Sequence, residues 1–366
     1  MRKVLDNFEK CINCNRCYKV CPMMKEFSDS PKDLMSDILN SKINIKDASY
    51  SCMLCNSCTE VCIKDLDLKD MFLSLREDIY KEGKDLKKYN LKSVKTHQKI
   101  SFSKITKNKI KNKSTKKVFI PGCSLSSYNN DIIKNTLDYL KKEEGETLEL
   151  LVRCCGKPSK DIGDIKSYKE NLENLNKELK ENNIEEVIVA CANCYNTFKD
   201  GLKGIKVSSL WNILWDKGLD SNLKDKYKDF KCVAIHDPCP MKKEKKIQDD
   251  VRSILKFLGL NVIEFKKNRE NTVCCGAGGM VLVTNNKLFL KQSKKRANEA
   301  ECDTIVSYCA SCVNTLKTEN KKTLHILDFL FNKDVLNRKI TNFKKVSSIE
   351  GFKNRITLNL KSKRWD

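Results

Sequence analysis

The sequence of 366 residues has no apolar run near the roughly 20 residues that a membrane-spanning helix needs. Its first residues, MRKVLDNFEKCINC, have no hydrophobic stretch of the kind that marks a secretory signal. Histidine is scarce, with three in the chain, and neither a complete dinucleotide-binding glycine motif nor a phosphate-binding loop is present. We therefore expect a cytoplasmic protein without a transmembrane segment and without a nucleotide site.

Cysteine, by contrast, is abundant, with 20 in the chain. In the absence of an export signal, thiols at this density are more often metal ligands than disulfides, because the thiolate is a soft ligand for iron and zinc. Hydrophobic residues make up 40% and charged residues 33%, which leaves enough apolar material for folded cores. The length predicts two or three domains.

The net charge of +23 is concentrated in two segments. Residues 81–117 hold fourteen lysines and two acids, and residues 339–366 hold eight basic and two acidic residues. We expect the first to be an exposed linker and the second a tail outside the folded parts. Solvated surface is the simplest interpretation, and docking to an acidic partner protein or, for the tail, to a membrane surface are alternatives. Nucleic-acid binding is not favoured, because no aromatic residues are interleaved for base stacking.

Two tetrads of cysteine near the N-terminus share the spacing C-x2-C-x2-C-x3-C. In this ferredoxin run three thiolates bind one [4Fe–4S] cluster and the fourth binds the neighbouring cluster. The predicted ligands are Cys11, Cys14, Cys17 and Cys62 for the first cubane cluster, and Cys52, Cys55, Cys58 and Cys21 for the second. A pair of structural zinc sites is the alternative, but such sites use two separated pairs of ligands.

Helices are predicted around these tetrads, so residues 1–80 form an all-α unit. Between the tetrads SPKDLMSDILNSK begins with an N-cap serine and a proline, and after them LDLKDMFLSLREDIYKEG ends at a glycine. The unit resembles the alpha-helical ferredoxin domain of heterodisulfide reductases and of related dehydrogenase iron–sulfur subunits. It departs from the usual run at Ile63, where a proline is common.

Beyond residue 117 the chain repeats a unit with three groups of cysteine. The first copy has IPGCS, RCCGKP and VIVACANC, and the second has IHDPCP, VCCGAGG and TIVSYCASC. Corresponding groups are offset by 116, 120 and 118 residues, which indicates duplication of one domain. The ten cysteines are Cys123, Cys154, Cys155, Cys191 and Cys194, and Cys239, Cys274, Cys275, Cys309 and Cys312.

Strands and helices alternate in both copies. The predicted strands are Val118–Ile120, Leu148–Val152, Val187–Ala190, Val233–Ile235 and Thr304–Val306. This alternation predicts α/β units with parallel strands, and each cysteine group follows a strand, so the groups of one copy should meet at one rim of the sheet. The predicted fold is therefore α/β with an N-terminal all-α ferredoxin-type domain and a duplicated α/β pair. Zinc binding and strained vicinal disulfides are the alternatives for these cysteines.

The layout of the repeat resembles the CCG domain, which occurs twice in the catalytic B subunit of heterodisulfide reductase. It also resembles the iron–sulfur subunits of glycolate, lactate and glycerol-3-phosphate oxidising complexes. The resemblance covers residues 5–331, and its order of domains is that of the fused D-type subunit. It implies that each set of five cysteines binds a noncubane [4Fe–4S] cluster, and that a disulfide is reduced between the two clusters with each sulfur captured by an iron. In that case the ten cysteines are the catalytic ligands.

Three further residues are not among the predicted cluster ligands. Cys232 and Cys302 belong to no motif, and we expect both to be buried thiols. His236 precedes Cys239 by three residues and is a candidate hydrogen-bond donor to a cluster or proton donor to a nascent thiol, with packing as the alternative.

Two functions are consistent with this pattern. The first is an oxidoreductase that passes electrons from the N-terminal cubanes to CCG-bound clusters that reduce a disulfide or thiol-derived substrate. The second is an electron relay for a flavin-dependent 2-hydroxy acid or glycerol-3-phosphate dehydrogenase. Either needs a redox partner, such as a flavoprotein, a ferredoxin or a membrane cytochrome-type subunit that could hold the chain at the inner membrane. The expected domains are 1–80 (ferredoxin-type), 81–117 (basic linker), 118–217 (first CCG), 230–331 (second CCG) and 332–366 (basic tail).

Overall fold

The structure is a computed structural model that describes residues 1–83, 86–145, 147–332, 335, 348–362 and 365. In these ranges a helical N-terminal unit precedes two α/β units, and a C-terminal helix packs back on the first of them. None of the described helices combines the length and the apolar character needed to cross a membrane.

The N-terminal unit is all-α, as predicted. Its helices are α1 (Arg2–Lys10), α2 (Arg16–Val20), α3 (Pro31–Leu39), α4 (Ile45–Ser51), α5 (Ser57–Glu60) and α6 (Leu68–Glu82). Helix α3 begins where the sequence predicted, because the Ser30 hydroxyl accepts a hydrogen bond from the backbone N–H of Asp33 at 3.0 Å. Helix α6 ends at Gly83, which adopts a φ of 69°.

The segment expected to be an exposed linker is largely folded, so that expectation was wrong. Helix α7 (Leu91–Ser101) buries Leu91, Val94, Gln98 and Ser101 on one face. Those four positions are spaced by three and four residues, which is the helical period, and the lysines lie between them on the opposite face. The abundance of lysine hid this buried face of the helix.

The first α/β unit contains four parallel strands in the order β2-β1-β3-β4. The strands are β1 (Lys117–Ile120), β2 (Glu149–Leu150), β3 (Glu186–Val189) and β4 (Lys206–Ser209). The helices are α8 (Cys123–Tyr128), α9 (Asn130–Glu144), α10 (Lys157–Asp161), α11 (Ile165–Glu181), α12 (Ala192–Gly201) and α13 (Leu210–Lys217). Three strands lie where the sequence predicted them, although β2 is shorter, and β4 was missed.

The second α/β unit repeats this topology with the order β6-β5-β7-β8. The strands are β5 (Val233–His236), β6 (Val262–Glu264), β7 (Thr304–Ser307) and β8 (Lys322–His325). The helices are α14 (Lys245–Phe257), α15 (Val281–Thr284), α16 (Asn286–Asn298), α17 (Ala310–Leu316) and α18 (Ile326–Phe331). The matching strand order confirms the duplicated α/β fold with parallel strands.

The C-terminal helix α19 (Ser348–Lys361) packs against α8 and α9. Leu358 is fully buried in the main hydrophobic core, and Asn354 donates a hydrogen bond to the backbone carbonyl of Ser127 at 2.8 Å. The expectation that this part of the tail lies outside the fold was therefore wrong. Residues 333–334, 336–347, 363–364 and 366 of the expected tail lie outside the described residues.

The two α/β units share one hydrophobic core. It includes Phe119 and Trp211 of the first unit together with Ile254 and Tyr308 of the second. Trp211 contacts the ring of Tyr308 edge-on, with the centroids 5.9 Å apart, and therefore packs between the units.

Arg76 joins the helical unit to both α/β units. Its buried guanidinium donates hydrogen bonds of 2.5–2.8 Å to four backbone carbonyls. The acceptors are Ser49 and Cys52 in the helical unit, Asp161 in the first α/β unit and Gly279 in the second. One side chain thus fixes the mutual placement of three parts of the chain.

Cys232 and Cys302 form a disulfide, so the expectation of two separate buried thiols was wrong. The two residues precede β5 and β7, which are hydrogen-bonded neighbours in the sheet. Their Cα atoms are therefore only 5.9 Å apart. The sequence could not show this pairing without the strand order.

His325 makes the free energy of unfolding depend on pH. Its imidazole accepts the N-cap hydrogen bond from Leu327 at 3.4 Å, and burial lowers its pKa to about 3 from an ordinary 6.5. Only the unfolded chain takes up this proton between pH 6.5 and 3, so stability is present in full above pH 6.5 and is lost as the pH falls below it.

We expect His325→Asn, which keeps a neutral N-cap, to remove this dependence. Between pH 6 and 5 the free energy of unfolding of the parent should fall more steeply than that of the variant by about 1.4 kcal/mol per pH unit. Anaerobic guanidinium unfolding at the two pH values measures both slopes. Buried His97 and His236 add the same pH dependence to the parent and to the variant. Equal slopes would therefore contradict the assignment to His325.

Candidate metal centres

The backbone around the cysteines has the same conformation in the two N-terminal tetrads. Asn13 and Asn15 of the first tetrad have positive φ values of 55° and 60°, and Leu54 and Asn56 of the second have 47° and 66°. This repeated left-handed backbone turns the loop around a central space before α2 and α5 begin. The tetrads are therefore structural copies as well as sequence copies.

Two cavities are each lined by cysteines from both tetrads. Cys11, Cys14 and Cys17 line one cavity together with Cys62, and Cys52, Cys55 and Cys58 line the other together with Cys21. Each cavity thus contains three thiols of one tetrad and the fourth of the other. This is the grouping that the spacing predicted, and the binding of clusters by these groups stays a prediction.

Burial makes these thiols difficult to ionise without a cation. It raises the pKa of Cys17 to about 11, with a further contribution from Cys11. Burial and then the neighbouring Cys52 and Cys55 raise the pKa of Cys21 well above the usual thiol range. Iron would supply the missing positive charge, because it binds the thiolate and displaces the proton.

The five cysteines of the first α/β unit meet at the carboxyl end of its sheet. Cys123 begins α8 directly after β1, Cys154 and Cys155 follow β2, and Cys191 and Cys194 lie at the start of α12 after β3. A hydrogen bond from Cys154 lowers the pKa of Cys123 to about 6, and one from Cys194 lowers the pKa of Cys155. The sulfur atoms are therefore close enough to share protons, and we call this group the first CCG set.

The corresponding cysteines of the second unit form the second CCG set. The sulfur atoms of Cys312 and Cys275 are 3.5 Å apart. Hydrogen bonds from Cys239 and Cys275 hold the pKa of Cys274 well below its usual range, and Cys312 lowers the pKa of Cys309 to about 7. A set of buried sulfurs that share protons in this way suits a metal centre that replaces those protons.

Glycines leave room beside both sets. A Cβ atom on Gly122 would lie 2.6 Å from the Cβ of Cys191, and one on Gly278 would lie 3.1 Å from the sulfur of Cys274. Gly278 would also place its Cβ 2.3 Å from the backbone oxygen of Met53. Since a side chain would not fit at either position, the backbone lies directly against the thiols. The cysteines and glycines at both sets therefore fit a metal cluster that is held by cysteine sulfur.

His236 lies against the second CCG set. One ring nitrogen and the sulfurs of Cys275 and Cys312 are within 4.8 Å of one another. The Nε of Arg296 donates to Nδ1 of His236 at 3.4 Å, so the remaining proton belongs on Nε2, which is buried and has no hydrogen-bond partner. Burial and the charge of Arg296 lower the pKa of His236 to about 3, which keeps the ring neutral.

The second CCG set adjoins the second tetrad cavity. The charge of Cys274 raises the pKa of Cys55 in addition to the larger effect of burial. Lys242 of the second α/β unit donates to the hydroxyl of Ser57 in the helical unit at 3.0 Å. The two groups of cysteine are therefore electrostatic neighbours across the boundary between units.

The first CCG set is covered by helices that the sequence placed outside the folded domains. Gln98 of α7 donates to the sulfur of Cys154 at 3.6 Å. Arg355 of α19 donates to the sulfur of Cys123 at 3.8 Å. Sequence reasoning missed both residues, because they are polar and lie far along the chain from the cysteines they contact.

Two protein families match the chain at these cysteines. The 4Fe-4S dicluster domain matches residues 10–67, which contain both tetrads. The cysteine-rich domain CCG matches residues 117–199 and 233–317, which contain the first and second CCG sets. The matches coincide with the helical unit and the two α/β units of the structure.

Relatives from archaea and bacteria share parts of this arrangement. An uncharacterized iron–sulfur protein of Methanococcus maripaludis is 27% identical over 346 residues, which cover 82% of this chain and 66% of that protein. A component of the dihydromethanophenazine:CoB–CoM heterodisulfide reductase of Methanosarcina mazei is 26% identical over 44% of this chain and 43% of that component. The probable iron–sulfur-binding oxidoreductase FadF of Bacillus subtilis is 24% identical over 53% of this chain and 29% of that protein.

The chain spans at most 66% of the length of these three relatives. The relatives among them with an assigned role are oxidoreductases or components of them. The chain therefore joins one 4Fe–4S dicluster domain to two cysteine-rich CCG domains.

Proposed function

We propose that this protein takes up electrons at two N-terminal cubane clusters and delivers them to two CCG-bound clusters, where a disulfide or a related thiol-derived substrate is reduced. The observation that carries the proposal is the contact between the second tetrad cavity and the second CCG set, at Gly278 and Met53. This contact gives electrons a short path out of the helical unit. The completeness of both five-cysteine sets supports chemistry at both of them.

Electrons enter at the first tetrad cavity. Cys14 is an exposed thiol, and the side chains of Ile12 and Ile63 beside it are 54% and 51% exposed. The charged residues that line the same cavity are Arg16 and Lys64. An apolar centre with a basic rim fits an acidic partner, and a flavoprotein or ferredoxin of low isoelectric point has that character.

Bound clusters would supply one-electron transfer, and the protein places hydrogen-bond donors around them. Reduction of a disulfide to two thiols takes two electrons and two protons. One ring nitrogen of His236 lies beside the sulfurs of Cys275 and Cys312, and the low pKa of this side chain keeps it neutral at physiological pH. A neutral ring can donate a hydrogen bond to a sulfur, and the two protons of the reaction come from solvent. Arg296 fixes the tautomer of the ring through its hydrogen bond to Nδ1.

An electron-relay subunit is the second candidate function. It is favoured by similarity to FadF and to a protein named EtfAB:quinone oxidoreductase from Syntrophomonas wolfei, which is 26% identical over 44% of this chain. The chain spans only 29% and 25% of these two proteins, so most of each of them lies outside the match with this chain. In this role the CCG sets would pass electrons on to another partner.

Iron counting and low-temperature EPR of anaerobically purified protein test the proposal. Four clusters of four irons predict about sixteen irons per chain. Reduced methyl viologen serves as electron donor and bis(2-hydroxyethyl) disulfide as acceptor. The reductase function predicts viologen oxidation that depends on the disulfide and a noncubane signal altered by added thiol. A quinone that replaces the disulfide as acceptor would favour the relay, and about eight irons would contradict clusters at the CCG sets.

A further inference from the structure

Helices α7 and α19 place an arginine on the first CCG set. Both helices lie outside the residues matched by the two families, 10–67, 117–199 and 233–317. Arg355 is 4% exposed, and its Nη2 donates to the Ser101 hydroxyl at 2.8 Å and to the sulfur of Cys123 at 3.8 Å. The guanidinium is thus held by α7 and directed at a thiol of the set.

The surroundings of Arg355 do not neutralise it. Its Nη1 lies 2.9 Å from Nε2 of His97, whose pKa burial and the guanidinium lower to about 4, so the imidazole accepts this hydrogen bond while neutral. Its Nε is buried without a hydrogen-bond partner, and no carboxylate pairs with it in the described part of the chain. A buried, unpaired guanidinium is costly unless an anion compensates it. The nearest group that can do so is the first CCG set.

The second CCG set has no such arginine at the matching cysteine. Among the described residues no guanidinium donates to Cys239, and the buried Lys242 three residues later is directed at Ser57 of the helical unit. The cation beside the second set, Arg296, contacts His236 and the backbone of Lys267 instead of a thiol. The two sets therefore differ in charge although their cysteines match.

We propose that Arg355 is a positioning residue that raises the reduction potential of the centre at the first CCG set above that of the centre at the second. A cluster held by thiolates is anionic and becomes more so when reduced, so a fixed positive charge and a hydrogen bond to a ligand sulfur favour the reduced form. Electrons that pass from the helical unit to the second set then collect at the first. The inference rests on the proposed function, because it needs a cluster at each set.

The experiment is an EPR-monitored redox titration of the full chain, with signals assigned by their loss in Cys155→Ala and Cys275→Ala. In the unmodified protein the first-set signal should appear at the higher potential. Arg355→Gln should lower the reduced-to-oxidised ratio of that signal about tenfold at a fixed potential, which is a shift of about 59 mV for one electron. Arg355→Lys keeps the charge and should shift it less.

Lys353→Gln is the matched control, because it removes the same charge from an exposed position of the same helix. It should leave both signals unmoved. Equal shifts in Arg355→Gln and Lys353→Gln, or no shift in either, overturn the inference. So does an unmodified protein in which the first-set potential equals or lies below the second, a result that needs no variant to fold. Intact potentials with no disulfide-dependent turnover would instead overturn the proposed function alone.

Discussion

Replacing Cys155 or Cys275 by alanine is expected to lower disulfide-dependent viologen oxidation more than about 100-fold. Substitution of groups that only contact metal ligands commonly costs 10–100-fold, and removal of a ligand costs more. Each of these thiols is the second of a vicinal pair and contacts a partner sulfur, Cys194 in the first set and Cys312 in the second. The EPR signals of the two cubane clusters should persist, because the tetrads contribute no sulfur to either set.

The double variant Cys232→Ala/Cys302→Ala is the matched control. It removes two cysteines of the second α/β unit that form a disulfide and belong to neither set. Its turnover and iron content at low temperature should stay close to those of the parent. Full turnover in Cys155→Ala or Cys275→Ala would show that the affected set is not the site of reaction, and would leave the relay as the function.

Replacing Arg76 by methionine is expected to lower the free energy of unfolding by about 4 kcal/mol or more. The substitution leaves four buried carbonyl groups without their donor, and each hydrogen bond to a charged group is worth about 1.5–3 kcal/mol. The acceptors belong to three units, so all three units should lose stability. Anaerobic calorimetry should show a melting temperature lower by at least about 5 °C.

Two further variants make the Arg76 result specific. Arg76→Lys keeps the charge but offers fewer donors, and should recover part of the lost stability. Lys81→Met changes an exposed residue of the same helix whose ion pair with Glu77 contributes little. A methionine variant as stable as the lysine variant would show that the guanidinium does not hold the three units together.

The sequence was sufficient wherever the decisive residues are neighbours in the chain. The tetrads place four thiols within eleven residues, and the left-handed turns at Asn13 and Asn15 are local events. Strands β3 and β5, each followed by a cysteine group, are fully buried and mostly apolar, so their pattern was visible. Local sequence thus predicted the all-α unit, the duplicated parallel sheets and the grouping of the cysteines.

The sequence was insufficient where short or half-exposed elements and distant contacts decide the structure. Strand β4 is largely exposed or half-buried, and β6 has three residues, so neither shows a clear apolar pattern. The contact of Arg355 with Cys123 spans 232 residues and depends on where α19 docks. No local pattern encodes a contact of that length, which is why the cover of the first CCG set was missed.

The hydrogen bond from Arg76 to Gly279 also has a consequence for biogenesis. The two residues are 203 positions apart, so a ribosome must synthesise most of the chain before the guanidinium meets its last acceptor. In the nascent N-terminal unit the Arg76 guanidinium therefore still lacks this acceptor and is exposed to water. The final stability of that unit is acquired only after translation has passed Gly279.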